Sequence, residues 1–136
     1  MTVTDSQGNV TYVKWVKPTC SANTAESSYT LTDTGIATVY LWHLEVRIPP
    51  GHQGLTGIAL VDSGNWIIPY SQNDPAWLIG DDDLLQYDYN KELGANVQFA
   101  TYNTDDTNDH AWQCRLIYTP MSVLDTSGES IVVPGG

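Results

Sequence analysis

Basic side chains are scarce in this chain of 136 residues, where five Lys and Arg stand against sixteen Asp and Glu for a formal net charge of −11. Residues 61–136 contain twelve of the acidic side chains and only two basic ones. Binding to nucleic acid or to an anionic membrane requires clustered Lys and Arg. The sequence therefore predicts that neither nucleic acid nor a membrane is a partner.

The chain also lacks targeting signals and a disulfide framework. No apolar run approaches the roughly 20 residues that span a bilayer. The N-terminus, MTVTDSQGNV, has neither the basic segment nor the apolar segment of a secretory signal, so we expect synthesis in a cytoplasm. Cys20 and Cys114 could pair, but the reducing compartment favours two buried thiols.

Helical periodicity is missing as well, whereas period-two alternation is strong. In Thr38–Ile48, the apolar side chains of Tyr40, Trp42, Leu44, Val46 and Ile48 alternate with a second set that becomes polar after Leu41. We predict an all-β fold, a single β-sandwich or jelly roll of about eight strands over residues 10–120. The predicted extended arms comprise residues 1–9 and 121–136.

The other predicted strands are short apolar runs bounded by turn signals. A hairpin is predicted around DSGN, with Gly64 and Asn65 available for positive φ, and a second turn is predicted at NKELGAN. In the C-terminal arm, SIVV is a candidate edge strand on the body or on a neighbour. The predicted runs are Val10–Val16, Ser28–Leu31, Gly57–Val61, Trp66–Tyr70, Leu84–Tyr89, Val97–Tyr102 and Ala111–Tyr118.

Glycines at 51, 54 and 57 follow two prolines in RIPPGHQGLTGIAL. A phosphate-binding loop needs such glycines between a strand and a helix, but here a strand follows and Lys is absent. The stretch instead predicts a rigid corner between two strands. His52 is interpreted as a corner residue, with contact to a partner as its only candidate functional role.

Two acidic segments admit either a calcium site or a hydrogen-bonded turn. The adjacent aspartates of Gly80–Asp83 cannot all face one ion, which favours a turn. Asn103–His110 places oxygen-bearing side chains at every second position, but it lacks the mid-loop glycine and the bidentate glutamate of the twelve-residue calcium loop. We assign no metal and no cofactor to either segment.

Aromatic side chains provide the candidate contact residues. Trp42 and Trp112 lie in predicted strands and are expected in the core. Trp66, Tyr70 and Trp77 bracket a proline-containing loop, where rings could stack on a sugar or insert into a protein partner. The pattern leaves core and interface equally open for Trp77, and we name His52, Tyr70 and Trp77 as candidate partner-contact residues.

Catalytic patterns find little support in this sequence. No Gly-x-Ser-x-Gly occurs, and neither cysteine lies in a recognisable catalytic signature. His43, His52 and His110 have no zinc-ligand spacing and could meet only through the fold. We therefore assign no catalytic residue and predict that the protein is not an enzyme.

The run Ile48–Tyr118 resembles small virion proteins of tailed bacteriophages. The features that match are the Pro-rich Gly-x-x-Gly corner, a hairpin ending in IIPY, a Trp followed by Gly-Asp, and a YNTD…H loop before the last strand. The chain looks most like the capsid-associated class of minor capsid, decoration or fibre-anchoring proteins. That resemblance implies a β-sandwich or jelly roll, and it transfers no functional residue.

The resemblance further implies a virion location on the capsid surface, the major capsid protein as partner, and a homotrimer. Function would then be mechanical, since area buried across adjacent shell subunits adds contacts that internal pressure must break. The alternative is a carbohydrate-binding β-sandwich for host attachment, assisted by calcium at Asn103–His110, with Trp66, Tyr70 or Trp77 as the stacking surface.

Overall fold

Two antiparallel sheets pack face to face in the computed structural model, which describes the backbone of Thr2–Thr4 and residues 10–122. The predicted all-β class is confirmed, and eight strands contain four or more residues. The strands are β1 (Thr2–Thr4), β2 (Val10–Val16), β3 (Thr19–Cys20), β4 (Thr30–Asp33), β5 (Val39–Ile48), β6 (Thr56–Asp62), β7 (Asn65–Ile68), β8 (Asp83–Leu93), β9 (Val97–Asn103), β10 (His110–Ala111) and β11 (Gln113–Pro120).

The larger sheet has the strand order β1-β2-β11-β5-β8, and the smaller one has the order β4-β9-β6-β7. Strands β3 and β10 form a separate two-stranded ribbon. A 3₁₀ turn, Glu26–Ser28, precedes β4. The body is a β-sandwich, because one apolar core lies between the inner faces of the two larger sheets.

Apolar side chains from both sheets form this core. Trp112 and Phe99 are its largest fully buried members, and the prediction that Trp112 lies in the core is confirmed. Cys20 and Cys114 are also fully buried, and both are free thiols, as expected. The other core residues are Ile36, Val39, Leu41, Leu44, Val46, Ile48, Ile58, Leu60, Ile68, Leu93, Val97 and Leu116.

A bulge in β5 reverses the predicted alternation. His43 pairs with Ile117 of β11 and Leu41 pairs with the next residue, Tyr118, so Trp42 is an extra residue of β5 with no opposite residue on β11. Residues before the bulge bury the odd-numbered side chains, and those after it bury Leu44, Val46 and Ile48. The prediction that Trp42 lies in the core is therefore wrong, and its half-buried ring packs 4.4 Å from that of Tyr40.

Two predicted turns differ in the structure. Strand β8 continues through Asn90, which has φ of 57°, and ends at Leu93, so only the last part of NKELGAN turns. In the β6–β7 hairpin, Ser63 and Gly64 have the positive φ values, while Asn65 pairs with Asp62. The connection is thus a two-residue turn, which matches the twist of the strands it joins.

The glycine corner is confirmed as a turn between strands, but the expectation for His52 is wrong. Gly51 and Gly54 have φ of 109° and 72°, and the N–H of Leu55 donates to the carbonyl of His52 at 2.9 Å. His52 is only 1% exposed, so its side chain is not available to a partner. The imidazole of His52 can be buried at this corner because each of its two ring nitrogens has a hydrogen-bond partner there.

The predicted arms are described only in part. Thr2–Thr4 lies within the predicted N-terminal arm but pairs with Val10–Tyr12 as an edge strand. At the other end, the N–H of Met121 donates to the carbonyl of Thr38 at 3.0 Å. The candidate strand SIVV lies outside the described residues. Within the described ranges, no helix is long and apolar enough to cross a bilayer.

Candidate binding surface

Four aromatic rings meet on the outer face of the smaller sheet, and we call this group the aromatic cluster: Tyr29, Trp66, Trp77 and Tyr102. Trp77 is central, with centroids 5.6 Å from Tyr29, 5.2 Å from Trp66 and 4.8 Å from Tyr102. All three pairs are edge-to-face, a favoured geometry for aromatic pairs. Each ring thereby limits the orientation of the next, so the surface is organised before any ligand arrives.

The sheet beneath explains how these rings are positioned. A side chain at Gly57 would overlap the ring of Tyr102, so the third glycine of the corner motif leaves the space that this ring occupies. Leu78 forms a backbone bridge to Ile58 with N–H to carbonyl distances of 2.8 and 3.1 Å, and this bridge fixes the neighbouring Trp77. Trp66 lies against small side chains at Ala59 and Ala100.

An open concavity of about 500 Å³ adjoins the cluster and is lined by Glu26, Ser27, Tyr29 and Pro75. The indole N–H of Trp77 donates to a carboxylate oxygen of Glu26 at 2.9 Å. Tyr29 is 36% exposed, and its ring lines this space together with the carboxylate-bearing Glu26 and the hydroxyl-bearing Ser27. Such a set of groups can stack on an apolar face and accept hydrogen bonds from a ligand.

Burial and the nearby Glu26 carboxylate raise the pKa of Tyr102 above its usual value, burial being the larger cause. The phenol therefore remains protonated at neutral pH. Glu26 is the negative group beside the cluster, which favours ligands that bring hydroxyl or amide donors. The chemistry of the surface is that of a binding site with an aromatic base and a carboxylate at its rim.

The three predicted contact residues, His52, Tyr70 and Trp77, have different environments, and His52 is the one that is fully buried. Trp77 is half-buried within the cluster, whereas Tyr70 is 77% exposed in the turn after β7. The N–H of Ser71 donates to the carbonyl of Trp66 at 3.3 Å, which places this turn beside the cluster's backbone. Sequence reasoning missed Tyr29, Tyr102 and Glu26, because no spacing pattern connects the 3₁₀ turn and β9 to the loop after β7.

The fold brings two of the three histidines together. The rings of His52 and His110 are 4.5 Å apart, while His43 lies on the larger sheet beside Asp88 at 2.7 Å. His52 Nε2 is 3.0 Å from the carbonyl of Ala111, which can only accept, so Nε2 carries the proton. Nδ1 then accepts from the Thr56 hydroxyl at 2.7 Å. Both nitrogens are satisfied within the protein, which is typical of a structural histidine.

The carboxylates of the acidic segments bind backbone groups. Asp105 accepts from the N–H groups of Thr107 and Asn108 at 2.9 and 3.3 Å and from His110 at 2.8 Å. These donors, with the Thr107 N–H contributing most, hold the pKa of Asp105 far below its usual value. In the other segment, Asp81 accepts from the N–H of Gly51 at 2.9 Å. Among residues 10–122, no three His, Cys, Asp or Glu side chains are grouped to hold a metal.

Comparisons with known proteins assign this chain to no family. No protein-family model matches the chain, and no curated protein matches it significantly. The geometry of the aromatic cluster is therefore the basis for the proposals that follow.

Proposed function

We propose that the protein is a structural virion protein that binds the outer surface of a bacteriophage capsid and reinforces the shell through contacts between subunits. The observation that carries the proposal is the aromatic cluster, in which Tyr29 is 36% exposed and packs with Trp77 over the buried rings of Trp66 and Tyr102. Trp and Tyr are the residues most enriched at the energetic centres of protein interfaces. The resemblance of Ile48–Tyr118 to capsid-associated proteins supplies the partner, the major capsid protein.

The contact would centre on Tyr29 and the exposed Tyr70, with Trp77 as the rigid support behind them. Exposed rings lose little conformational entropy on binding, because a Tyr side chain has only two rotatable angles. The acidic loops would remain in solvent, since burying carboxylates without partners is costly.

Co-sedimentation of the purified protein with capsids tests this proposal. We expect the full chain to sediment with capsids, and Tyr29→Ala to weaken binding by about tenfold or more, the effect of losing a central interface ring. Leu55→Ala is the matched control, because Leu55 is 38% exposed, close to the 36% of Tyr29, and lies outside the cluster. Failure of the wild-type chain to sediment with capsids would overturn the proposal, as would equal losses in the two variants.

A second candidate function is carbohydrate binding for host attachment. The specific observation in its favour is that the ring of Tyr29, the carboxylate of Glu26 and Ser27 line one concavity. Sugars present an apolar face and several hydroxyl donors, which such a surface can match.

A glycan array, with and without a chelator, tests this second function. We expect binding to a restricted set of glycans, and loss of that binding in Glu26→Gln with the fold retained. An array that is blank in both conditions removes the candidate. Binding that persists in Glu26→Gln would place the sugar elsewhere on the protein.

A further inference from the structure

Positive charge and an exposed indole coincide on the outer face of the larger sheet. Trp15 is 61% exposed and opposes Arg115 in the register of β2 and β11, with the guanidinium 5.8 Å from the centre of the indole ring. Lys17 and Gln113 line an adjacent concavity of about 300 Å³ with Trp15. We call Trp15, Lys17, Gln113 and Arg115 the basic patch.

The basic patch retains positive charge after its internal pairing. Arg115 is offset by Glu45, to which its guanidinium is directly paired. Within the described part of the chain Lys17 forms no ion pair, and neither does Lys14 farther along β2. Two of the five basic residues of an otherwise acidic protein, Lys17 and Arg115, thus lie in the basic patch.

The start of β8 has the opposite combination, exposed apolar side chains beside aspartates. Ile79 and Leu84 are both exposed, and Asp81, Asp82 and Asp83 lie between them. Arg47 pairs with Asp82 at 2.7 Å, and among the described residues no cation pairs with Asp81 or Asp83. We call Ile79 and Asp81–Leu84 the acidic patch.

The basic patch lies on β2 and β11, and the acidic patch lies at the start of β8 in the same sheet. In the order β1-β2-β11-β5-β8, β8 is an edge, and no described strand pairs with its outer side. At the other edge, β1 pairs only with Val10–Tyr12, so no described strand pairs with the outer side of Lys14–Val16. Three strand spacings of about 4.8 Å separate Trp15 on β2 from Leu84 on β8, so these two exposed side chains do not cover each other within one copy.

We propose that the basic patch of one copy binds the acidic patch of a second copy of this chain, in a head-to-tail contact. Each side offers an exposed apolar side chain together with charge opposite to that of its partner. Such complementarity brings net acidic copies together in one orientation, because any contact between two acidic surfaces is repulsive. A contact between two different surfaces repeats around a ring when the rotation closes.

This inference deepens the proposed function and rests on it for its biological role, since a capsid-bound ring would reinforce several shell subunits at once. The contact itself is measured without capsids. If the protein assembles but does not bind capsids, only the proposed function fails. If it binds capsids as a monomer, only this inference fails.

Light scattering on the full chain, with three variants, provides the test. We expect the wild-type mass to exceed 15.0 kDa and to rise with concentration, while Trp15→Ser and Leu84→Ser are each monomeric. An equimolar mixture of these two variants should give a dimer and nothing larger. The acidic patch is intact in Trp15→Ser and the basic patch is intact in Leu84→Ser, so each pair of chains can form one contact. Leu31→Ser on β4 of the other sheet is the control, since Leu31 is 49% exposed and Leu84 is 53% exposed.

Salt provides a second readout that does not depend on removing an apolar side chain. Raising the salt concentration from about 0.1 M to about 1 M shortens the screening length from about 10 Å to about 3 Å. Because this weakens the attraction between the two patches, it should lower the average mass measured by light scattering. Lys17→Glu, which changes charge alone, should lower it as well even if Trp15→Ser fails to fold. A monomeric wild-type chain, an unaltered mass in Leu84→Ser, or equal dissociation in Leu31→Ser would each overturn the proposal.

Discussion

Thr119 and Thr101 are both fully buried, and they differ in what their hydroxyl groups contact. The Thr119 hydroxyl accepts from the Trp42 indole N–H at 2.9 Å and donates to the carbonyl of Val10 at 2.9 Å. It therefore ties the bulge of β5 to the start of β2. The Thr101 hydroxyl has no hydrogen-bond partner among the described residues.

This contrast predicts opposite outcomes for the same substitution. Thr119→Val should lower the free energy of unfolding by about 1–3 kcal/mol, because it leaves a buried indole N–H and a carbonyl unpaired. Thr101→Val should be neutral or stabilising, because it removes a buried polar atom that lacks a partner. Chemical denaturation of both variants measures the difference. Equal losses would show that the Trp42 contact does not stabilise the fold.

The requirement for glycine at position 57 depends on Tyr102, since the Tyr102 ring occupies the space that a side chain at position 57 would need. Gly57→Ala should cost about 1–3 kcal/mol of stability through overpacking. In a Tyr102→Leu background the same change should cost less, and a double-mutant cycle measures that coupling. Additive losses would mean that the backbone at 57, rather than the ring, sets the requirement.

At the scale of elements, the carboxylate of Asp105 accepts several of the hydrogen bonds within the segment between β9 and β10. Asp105 accepts hydrogen bonds from two backbone N–H groups and from the His110 ring, whereas within the described part of the chain the adjacent Asp106 accepts from the Thr107 hydroxyl alone, at 3.0 Å. Side chains that accept nearby N–H groups take the place of regular secondary structure in such loops.

Asp105→Ala should therefore release this loop, and Asp106→Ala should not. The expected result is faster amide hydrogen exchange at residues 104–110 in the first variant, with the protection of β9 retained. Exchange reports local opening directly, so it separates a loosened loop from a generally weaker fold. Similar exchange in both variants would contradict the role of Asp105.

Element identity was largely predictable from sequence, while element geometry was not. Alternation in β5 and the apolar run of β6 predicted strands, because a half-buried strand and a fully buried one each leave a local pattern. The bulge at Trp42 has no such pattern, since it arises from pairing with β8 and β11 at once. The candidate surface shows the same limit, as only Trp66, Tyr70 and Trp77 are close in sequence, in β7 and the loop after it, whereas Tyr29 and Tyr102 come near them through the sheet.

At the scale of the whole molecule, stability should depend on pH through His52. Burial is the largest cause that lowers its pKa below the usual 6.5, and the neighbouring His110 lowers it further, against an opposing contribution from the Ala111 hydrogen bond. Below pH 6.5 the unfolded chain binds a proton at this residue more readily than the folded chain. The stability that His52 contributes is therefore complete above pH 6.5 and is lost as the pH falls below it.

Denaturation of the wild type and His52→Gln, at about pH 7.5 and about pH 5.5, tests this dependence. We expect the wild type to lose more stability than the variant between the two values, although the variant is less stable at the higher pH because the packing on Trp112 is altered. Identical losses in the two proteins would assign the acid sensitivity to other groups.

The two thiols of the core have a practical consequence. Cys20 and Cys114 are fully enclosed, and burial raises the pKa of Cys114 above that of a free thiol, so neither group meets an alkylating reagent while the sandwich stays closed. A chain that carries a label on either thiol has therefore opened at least once. The rate at which Cys20 and Cys114 are alkylated therefore measures how often the sandwich opens. Mass spectrometry can follow that rate in any mixture, including one with capsids or glycans present.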